Sequence, residues 1–507
     1  MDPQRLDQLL SSNSSLHPSE LSSLRQDIQS REDVIQELRL QLEALESECE
    51  ARKALLSPLR RSVLPPELLG EIFCEVLEAS EFGEAFQATR ICLVCKAWRE
   101  VALATPWLWV SVRVWMEQLV DFKKVKAWLS RSGSLPKRLD VNGEDSCTGG
   151  FDGCILSTTG LANMLAEGPV LEELSLSCTS PECCHNLFKR TMAIETKGPR
   201  AWDFLQFLNL DMCEDWGGEG ADFFHLLPRS LRSFSFRFPD PDDLPDGVLL
   251  PRPISHPTVS ILTTNTCFWP VNWTLKTMKA LPSLTHVTLN FRGCYSEYDQ
   301  GPFNGDEPYI LQNVRTLKLQ NLYWPQLDKT RILRFLSTPS LAELEISFET
   351  DGAAEATNAT EMSSDVTQFA RISNDLSDLR YLRLQGMTIT AKGLKRILRA
   401  LPTVTHLILG AVSIHGESLA FKHDLLPQLE VFEFLDFPGD EDEVINLDEM
   451  LKFIKARGPH SAGCTAGNIA PIRKATVSIA KRLPFFFNHR WFKEMEKGGV
   501  EFSFKRP

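Results

Sequence analysis

The sequence predicts an α/β fold for most of the chain, and three observations support this prediction. A segment of the form L-x-x-L-x-L recurs between residues 171 and 434, with starts 25 to 38 residues apart if a degenerate match at Val259 is counted. Apolar residues at helical spacing precede many of these segments. A Pro then ends the helical pattern, as it does after Leu281 and Leu401. Pro disfavours helix in the residue before it and prepares an extended segment.

The repeated segments predict a leucine-rich-repeat solenoid of horseshoe shape over residues 111–507. Most of the spacings match the roughly 20–29 residues of such a repeat. Each strand–helix unit buries its apolar side only against its neighbours, so the units would stack into one continuous core. The full pattern occurs at residues 171–176, 205–210, 231–236, 284–289, 314–319, 341–346, 379–384, 404–409 and 429–434.

Weaker or interrupted parts of the pattern lead to further expectations. Leu139 and Val259 mark a first unit and a degenerate unit. Residues 349–375 are acidic and rich in Ala, Ser and Thr, which predicts a mobile insertion. Residues 485–504 are aromatic and basic, and we interpret them as the C-terminal cap of the last repeat.

The x positions of the repeated segment would face the concave side of the solenoid, where a protein target would bind. Aromatic residues and Arg are the usual anchors of such a surface. The candidates for target binding are Phe207, His286, Arg315, Arg380, Tyr381 and Arg383.

The N-terminal region predicts a flexible tail over residues 1–17 and a coiled-coil or amphipathic helix over residues 18–57. Apolar residues recur at heptad spacing from Leu21 to Leu45, while Arg31 occupies one of the core positions. Two interpretations stay open: the helix packs against its own chain, or two copies of the chain associate through this seam.

Residues 60–110 predict a small helical domain that binds a partner. Pro65, Pro66 and Glu67 suit a helix start, because Pro fits the first turn and Glu complements the helix dipole. A first helix carries apolar residues up to Leu77, and a second helix carries them between residues 91 and 101. These apolar residues exceed what a pair of helices can bury, which is typical of a partner-binding surface.

The two halves of this region resemble the F-box, at L-P-x-E-L-L-x-x-I-F from Leu64 and at V-C-K-x-W-R from Val94. Three further features resemble the F-box-like proteins of mushroom-forming fungi. They are the preceding charged helix, the segment T-P-x-L-W from Thr105 and the segment W-L-x-R-S-G-S-L-P from Trp128. In that family the F-box docks onto the Skp adaptor of cullin–RING ubiquitin ligases. The resemblance implies adaptor contacts by Leu64, Pro65, Pro66, Glu67, Leu68, Leu69, Ile72, Phe73, Val94, Cys95 and Trp98.

Composition and charge argue against several other classes of protein. A formal net charge of −13 without a dense Lys/Arg cluster argues against nucleic-acid binding. The first residues lack a signal pattern, and no run of 18 apolar residues occurs, so we expect no membrane segment. The 13 Cys are then expected to be reduced thiols in the cytoplasm or nucleus.

No catalytic or cofactor motif is recognisable in the sequence. The chain lacks the glycine patterns of nucleotide-binding loops, the H-E-x-x-H of zinc proteases and the G-x-S-x-G of hydrolases. Cys92 and Cys95 form a C-x-x-C, but a zinc ribbon needs a second pair, and Cys183-Cys184-His185 has poor spacing for one. We interpret Cys92 and Cys95 as core residues, and we predict no metal site and no cofactor.

The sequence leaves two functions, neither of them enzymatic. The first is the substrate-recognition subunit of a Skp–cullin–F-box ubiquitin ligase, which binds the adaptor, and through it the cullin, by its F-box and a target protein by its repeats. The alternative is a leucine-rich-repeat interaction scaffold in which the F-box-like hairpin only caps the solenoid.

Overall fold

The structure is a computed structural model of the 507-residue chain. It describes residues 7, 11, 17–55, 64–78, 84–115, 120–143, 147, 154–212, 223–238, 252–266, 271–291, 308–322, 332–348, 359–415, 425–437, 441–460, 469–479, 495 and 497–505. Most of the predicted tail, residues 1–17, therefore lies outside the described residues.

The described chain combines a long N-terminal helix with a large sheet and shorter helices. The helices are α1 (Pro18–Leu55), α2 (Pro66–Glu78), α3 (Glu84–Val94), α4 (Lys96–Ala104), α5 (Phe122–Ser130), α6 (Thr159–Glu167), α7 (Pro181–Ala193), α8 (Val271–Lys279), α9 (Ala359–Ile372), α10 (Ala391–Ala400) and α11 (Glu441–Ala456).

The strands alternate with these helices along most of the chain. They are β1 (Ser111–Trp115), β2 (Arg138–Asn142), β3 (Glu173–Cys178), β4 (Phe207–Met212), β5 (Ser233–Phe238), β6 (Ile261–Thr266), β7 (His286–Asn290), β8 (Tyr309–Ile310), β9 (Thr316–Leu322), β10 (Leu336–Ser337), β11 (Glu343–Phe348), β12 (Tyr381–Gln385), β13 (Thr388–Thr390), β14 (His406–Gly410), β15 (Ser413–His415), β16 (Val431–Phe437), β17 (Lys474–Ile479) and β18 (Glu501–Lys505).

The chain divides into two compact units, residues 1–75 and 76–507, and the division falls inside α2. The sequence placed a domain boundary at residue 110 instead. Within the second unit α3 contacts β1, and both α3 and α4 contact the 3-10 helix Pro106–Trp109. The later helices of the predicted 60–110 domain are therefore packed with the sheet.

Within the described residues, fourteen strands form one parallel sheet, and their order across the sheet is their order along the chain. The pairs β8–β10 and β13–β15 form two small parallel sheets beside it. Each complete L-x-x-L-x-L segment supplies one strand of the large sheet, and the weaker matches at Leu139 and Val259 supply β2 and β6. The sheet also extends beyond the predicted segments, to β1 at one end and to β17 and β18 at the other.

The core lies on the side of the sheet to which the regular leucines point. Alternation in β3 buries Leu174 and Leu176 completely and leaves Glu173, Ser175 and Ser177 partly exposed. In α10, Leu394 and Ile397 bury the matching face of the helix, and the Thr390 hydroxyl caps the helix by accepting from the Gly393 N–H at 3.1 Å. Period-2 strands and period-3.6 helices therefore meet in one apolar layer.

One sequence prediction fails in this region for a physical reason. The mobile insertion predicted over residues 349–375 contains α9, whose Met362, Val366 and Phe369 are buried at helical spacing. Its acidic composition concealed that period. Most of the predicted cap, residues 485–504, lies outside the described residues, but its last part belongs to β18, which pairs with β17 as a further parallel strand.

Among the described residues, no helix is both long enough and apolar enough to cross a membrane.

A buried arginine organises the C-terminal part of the second unit. Arg457 follows α11 and is only 1% exposed. Its guanidinium also lies 5.4 Å from the centre of the Phe453 ring. It donates hydrogen bonds of 2.6 to 3.3 Å to the carbonyl oxygens of Leu425, Leu426, Pro427, Leu429 and Ala470. One side chain thus satisfies carbonyls that precede two strands, β16 and β17.

Replacing this arginine is expected to destabilise the protein strongly. Arg457→Met leaves buried carbonyl oxygens without donors, so the free energy of unfolding in urea should fall by at least about 3 kcal/mol. The control is Arg473→Met. Arg473 is largely exposed, and its ion pair with Glu430 is weak because the charged atoms are 4.0 Å apart and accessible to solvent. That variant should stay within about 0.5 kcal/mol of the wild type. Equal losses in the two variants would contradict the role given to Arg457.

Candidate protein-binding surfaces

Helix α2 presents an apolar stripe to solvent. Its side chains at Leu68, Ile72 and Val76 are spaced four residues apart, and each is nearly half exposed. Leu64, one turn before Leu68, is exposed to a similar degree. Phe73 differs from the sequence prediction, because its side chain is buried within the chain at 1% exposure and is not available for docking.

The start of α2 follows the prediction made from its residue types. Pro66 is the first helical residue, and the carbonyl of Pro65 accepts from the Leu69 N–H at 3.1 Å. Glu67 lies in the first turn, where a carboxylate complements the helix dipole. Pro65, Pro66 and Glu67 are exposed and Leu69 is partly buried.

The second half of the F-box-like region forms two helices and not one. The sequence predicted a single helix through residues 91–101, but the chain is extended at Cys95, between α3 and α4. The Cys95 sulfur accepts a hydrogen bond from the Trp98 N–H at 3.4 Å and so caps α4. Cys95 is therefore an exposed cap residue and not a core residue. An N-cap residue has extended backbone, which ends the preceding helix.

Apolar side chains are also exposed on α3 and α4. Leu93 is 70% exposed, and Val94 and Leu103 are about half exposed. Trp98 is partly buried. Leu93 and Leu103 were not among the predicted adaptor contacts. The signal that could have indicated them is their apolar character close to the V-C-K-x-W-R segment. Burial raises the pKa of the Cys92 thiol, so Cys92 is a neutral thiol at pH 7 and not a reactive thiolate.

A tryptophan anchors α3 and α4 to the start of the sheet. Trp109 is fully buried, and its indole N–H donates to the Ala102 carbonyl of α4 at 2.8 Å. The Arg131 guanidinium lies 4.6 Å from its ring centre, and the Trp128 ring meets it edge-on at 4.5 Å. Trp128 in turn donates to the Ser111 carbonyl of β1 at 3.2 Å. These contacts fix the orientation of the helices relative to the first strand.

The solvent-facing side of the large sheet carries side chains in rows, because neighbouring strands are in register. One row runs from Phe207 through His286 to Tyr381. Two strands lie between each of these residues and the next, so they are three strand spacings, or about 14 Å, apart at about 4.8 Å per spacing. Arg383 lies in the neighbouring row on β12. The sheet thus brings Tyr381 and Arg383 together but keeps Phe207 and His286 distant.

Strands β9 to β16 carry a group of charged and aromatic side chains on the solvent-facing side of the sheet. The Lys318 ammonium lies 3.4 Å from the Glu345 carboxylate, which also accepts from Gln320 at 3.2 Å. The His406 ring packs edge-on against Tyr381 at 5.0 Å between centres. We call this surface the mixed-charge patch; it consists of Lys318, Glu345, Tyr381, Arg383, His406 and Glu433. His406 Nε2 lies 3.3 Å from the Glu433 carboxylate.

The predicted residues Arg315 and Arg380 lie before their strands and not on the strand face. Arg380 is engaged locally, because its guanidinium donates to the carbonyls of Ser377, Leu379 and Thr403 at 2.9 to 3.4 Å. Arg315 is exposed just before β9. The x position that follows the first leucine precedes the strand in each unit, which separates these two arginines from the rows.

Two adjacent clefts open along the edge where β2 to β6 begin. They have volumes of about 740 Å³ and 490 Å³ and share Phe204 and Gln206 in their walls. Phe204 and Val170 expose roughly half of their apolar surface there. No sequence pattern predicts this edge, because its residues lie in the connections that precede the strands and show no regular apolar spacing.

No protein-family model and no curated protein matches this chain.

The Trp109 anchor should control how firmly α3 and α4 are held. Trp109→Ala removes a fully buried ring and its hydrogen bond, and should cost about 3–5 kcal/mol. Hydrogen exchange should become faster in the amides of residues 84–104 and stay unchanged in β9 to β16. Trp107→Ala is the matched control, since Trp107 is 60% exposed and should be nearly neutral. Faster exchange in both variants, or in neither, would contradict the anchoring role.

Proposed function

We propose that the chain is the substrate-recognition subunit of a Skp–cullin–F-box type ubiquitin ligase. It binds the Skp adaptor, and through it the cullin, by the F-box-like helices α2 to α4. It binds a target protein by the face of the large sheet. The assembly would act in the cytoplasm or nucleus.

The exposed apolar side chains of the motif carry this proposal. Leu68 and Ile72 in its first half, and Val94 in its second half, remain exposed in the isolated chain. Exposed apolar residues at helical spacing are typical of helical docking surfaces. If the hairpin served only as a cap, Pro66, Ile72 and Trp98 would be expected to be buried within the chain. Pro66 and Ile72 are instead exposed and Trp98 is only partly buried.

We propose further that residues 111–507 are a leucine-rich-repeat solenoid. The support is that strand order across the sheet equals chain order, that all neighbours are parallel, and that the units recur every 25 to 38 residues. A solenoid is built from such nearest-neighbour units. In this arrangement the mixed-charge patch lies on the strand face that binds targets in repeat proteins.

The mechanism that follows is proximity. The chain holds a target close to a ubiquitin-charged enzyme supplied by other subunits, which raises the effective concentration of a target lysine near the thioester. Trp109 holds α4 firmly at the start of the sheet. This favours the mechanism, because a rigid connection keeps the effective concentration of the target lysine higher than a flexible link does. No residue of this chain takes part in bond making.

Adaptor binding tests the proposal directly. The wild-type chain should bind the Skp adaptor in calorimetry, and Ile72→Asp should weaken the affinity at least about 30-fold, as expected for a central contact residue. Ile310→Asp is the matched control, because Ile310 is also an exposed isoleucine but lies in β8. A folded wild-type chain that does not bind the adaptor would overturn the proposal.

The alternative, a non-catalytic interaction scaffold, has one specific observation in its favour. Helix α3 contacts β1, the first strand of the large sheet, and so covers part of that end. In the scaffold the target-binding face would work without the adaptor. The adaptor-binding experiment also separates the two functions.

We also propose that two copies of the chain associate through α1. Its apolar side chains, such as Ile35, Leu38 and Leu42, are about half exposed and follow heptad spacing. The core-position residue Arg31 lies 3.5 Å from Asp27, one turn earlier in the same helix. This pair partly neutralises the charge that would otherwise interrupt the seam.

Light scattering should give the mass of two chains at micromolar concentration. Leu38→Glu places a charge at a core position of the seam and should shift the protein to one chain. Leu40→Glu, at an equally exposed position off the seam, should leave the mass unchanged. A wild-type chain that is monomeric at these concentrations would rule out this association.

A further inference from the structure

Four cysteines that are far apart in the sequence converge in the second unit. Cys147 and Cys154 belong to the connection between β2 and α6, Cys178 is the last residue of β3, and Cys183 lies in the first turn of α7. Their four sulfur atoms all lie within 4.8 Å of one another. All four side chains are buried. In the part of the chain that the structure describes, this is the one group of possible metal ligands with such geometry.

The sulfur spacing fits a single tetrahedral ion. Zinc–sulfur bonds of about 2.3 Å in a tetrahedron place the sulfurs about 3.8 Å apart. The sulfur atoms of Cys147 and Cys183 lie 3.6 Å apart, and those of Cys154 and Cys178 lie 3.3 Å apart. Both are far longer than a disulfide bond of about 2.0 Å. Four sulfurs this close leave no space for a cluster of several irons with their bridging sulfides.

We propose that Cys147, Cys154, Cys178 and Cys183 form a structural zinc site with four thiolate ligands. Binding transfers the four thiol protons to solvent and leaves a site with net negative charge. The N-terminal end of α7, where Cys183 lies, offsets part of that charge through its backbone N–H groups. Four protein ligands fill the coordination sphere, so the site is structural and not catalytic.

The surrounding sequence explains what such a site contributes. Between Asn142 and Cys154 the chain is rich in Gly and acidic residues and has few apolar side chains. Such a segment gains little from burial. Zinc would join Cys147 and Cys154 to the end of β3 and the start of α7. This inference is independent of the proposed ubiquitin-ligase function.

Metal analysis of the reduced, full-length chain tests the site. The protein expressed with zinc and dialysed against metal-free buffer should hold about one zinc ion per chain. Zinc X-ray absorption should show four sulfur neighbours at about 2.3 Å. Cobalt exchanged for zinc should give the intense visible absorption of a tetrahedral tetrathiolate complex. These three measurements need no variant, so they decide the question even if ligand variants aggregate.

Variants then assign the ligands. Cys178→Ser and Cys154→Ser should each lower bound zinc at least about tenfold, because loss of one ligand opens the structural site. Cys184→Ser is the matched control, since Cys184 is buried beside Cys183 but lies outside the group. It should keep its zinc. A folded wild-type chain without stoichiometric zinc would overturn the proposal, as would disulfides among the four cysteines, bound iron in place of zinc, or equal zinc loss from Cys184→Ser.

Discussion

Neighbour-to-neighbour stacking of parallel strands is the constraint on which the second unit depends. Leu344 of β11, Leu382 of β12 and Leu407 of β14 are partners in register, and all three are completely buried. Each closes the apolar surface of the next, so no strand–helix unit has a complete core by itself. The same register sets the order of side chains on the opposite face, where Glu345, Arg383 and Ile408 follow one another across the strands.

This constraint makes the two ends of the sheet the places where specific polar contacts are needed. At the first end, Trp109 joins α4 to the region of β1 through one hydrogen bond and two ring contacts. Near the other end, Arg457 satisfies several carbonyl oxygens before β16 and β17. Removing one partner of a buried hydrogen bond is strongly destabilising, because the other partner is left buried without a hydrogen bond.

The sequence predicted the parts of the fold that repeat a local period. The alternation around Leu174 and Leu382, and the Pro that follows Leu401, are visible within a few residues, so the strand positions were predictable. Cys95 was placed inside a helix because its apolar neighbours continue across it, whereas its sulfur caps α4. Other features depend on contacts between residues far apart in the sequence. These are the contacts of Arg457, the pairing of Lys318 with Glu345, and the group of Cys147, Cys154, Cys178 and Cys183. No spacing rule detects such contacts, and the cysteines therefore appeared scattered.

We propose that the F-box-like helices bind the Skp adaptor while the sheet stays unchanged. Hydrogen exchange of the full chain, with and without the Skp adaptor at saturating concentration, measures both parts at once. We expect slower exchange in amides of residues 64–76 and 93–98, with unchanged exchange in β3 to β16. Identical exchange with and without the adaptor, or protection confined to the strands, would rule out binding through these helices.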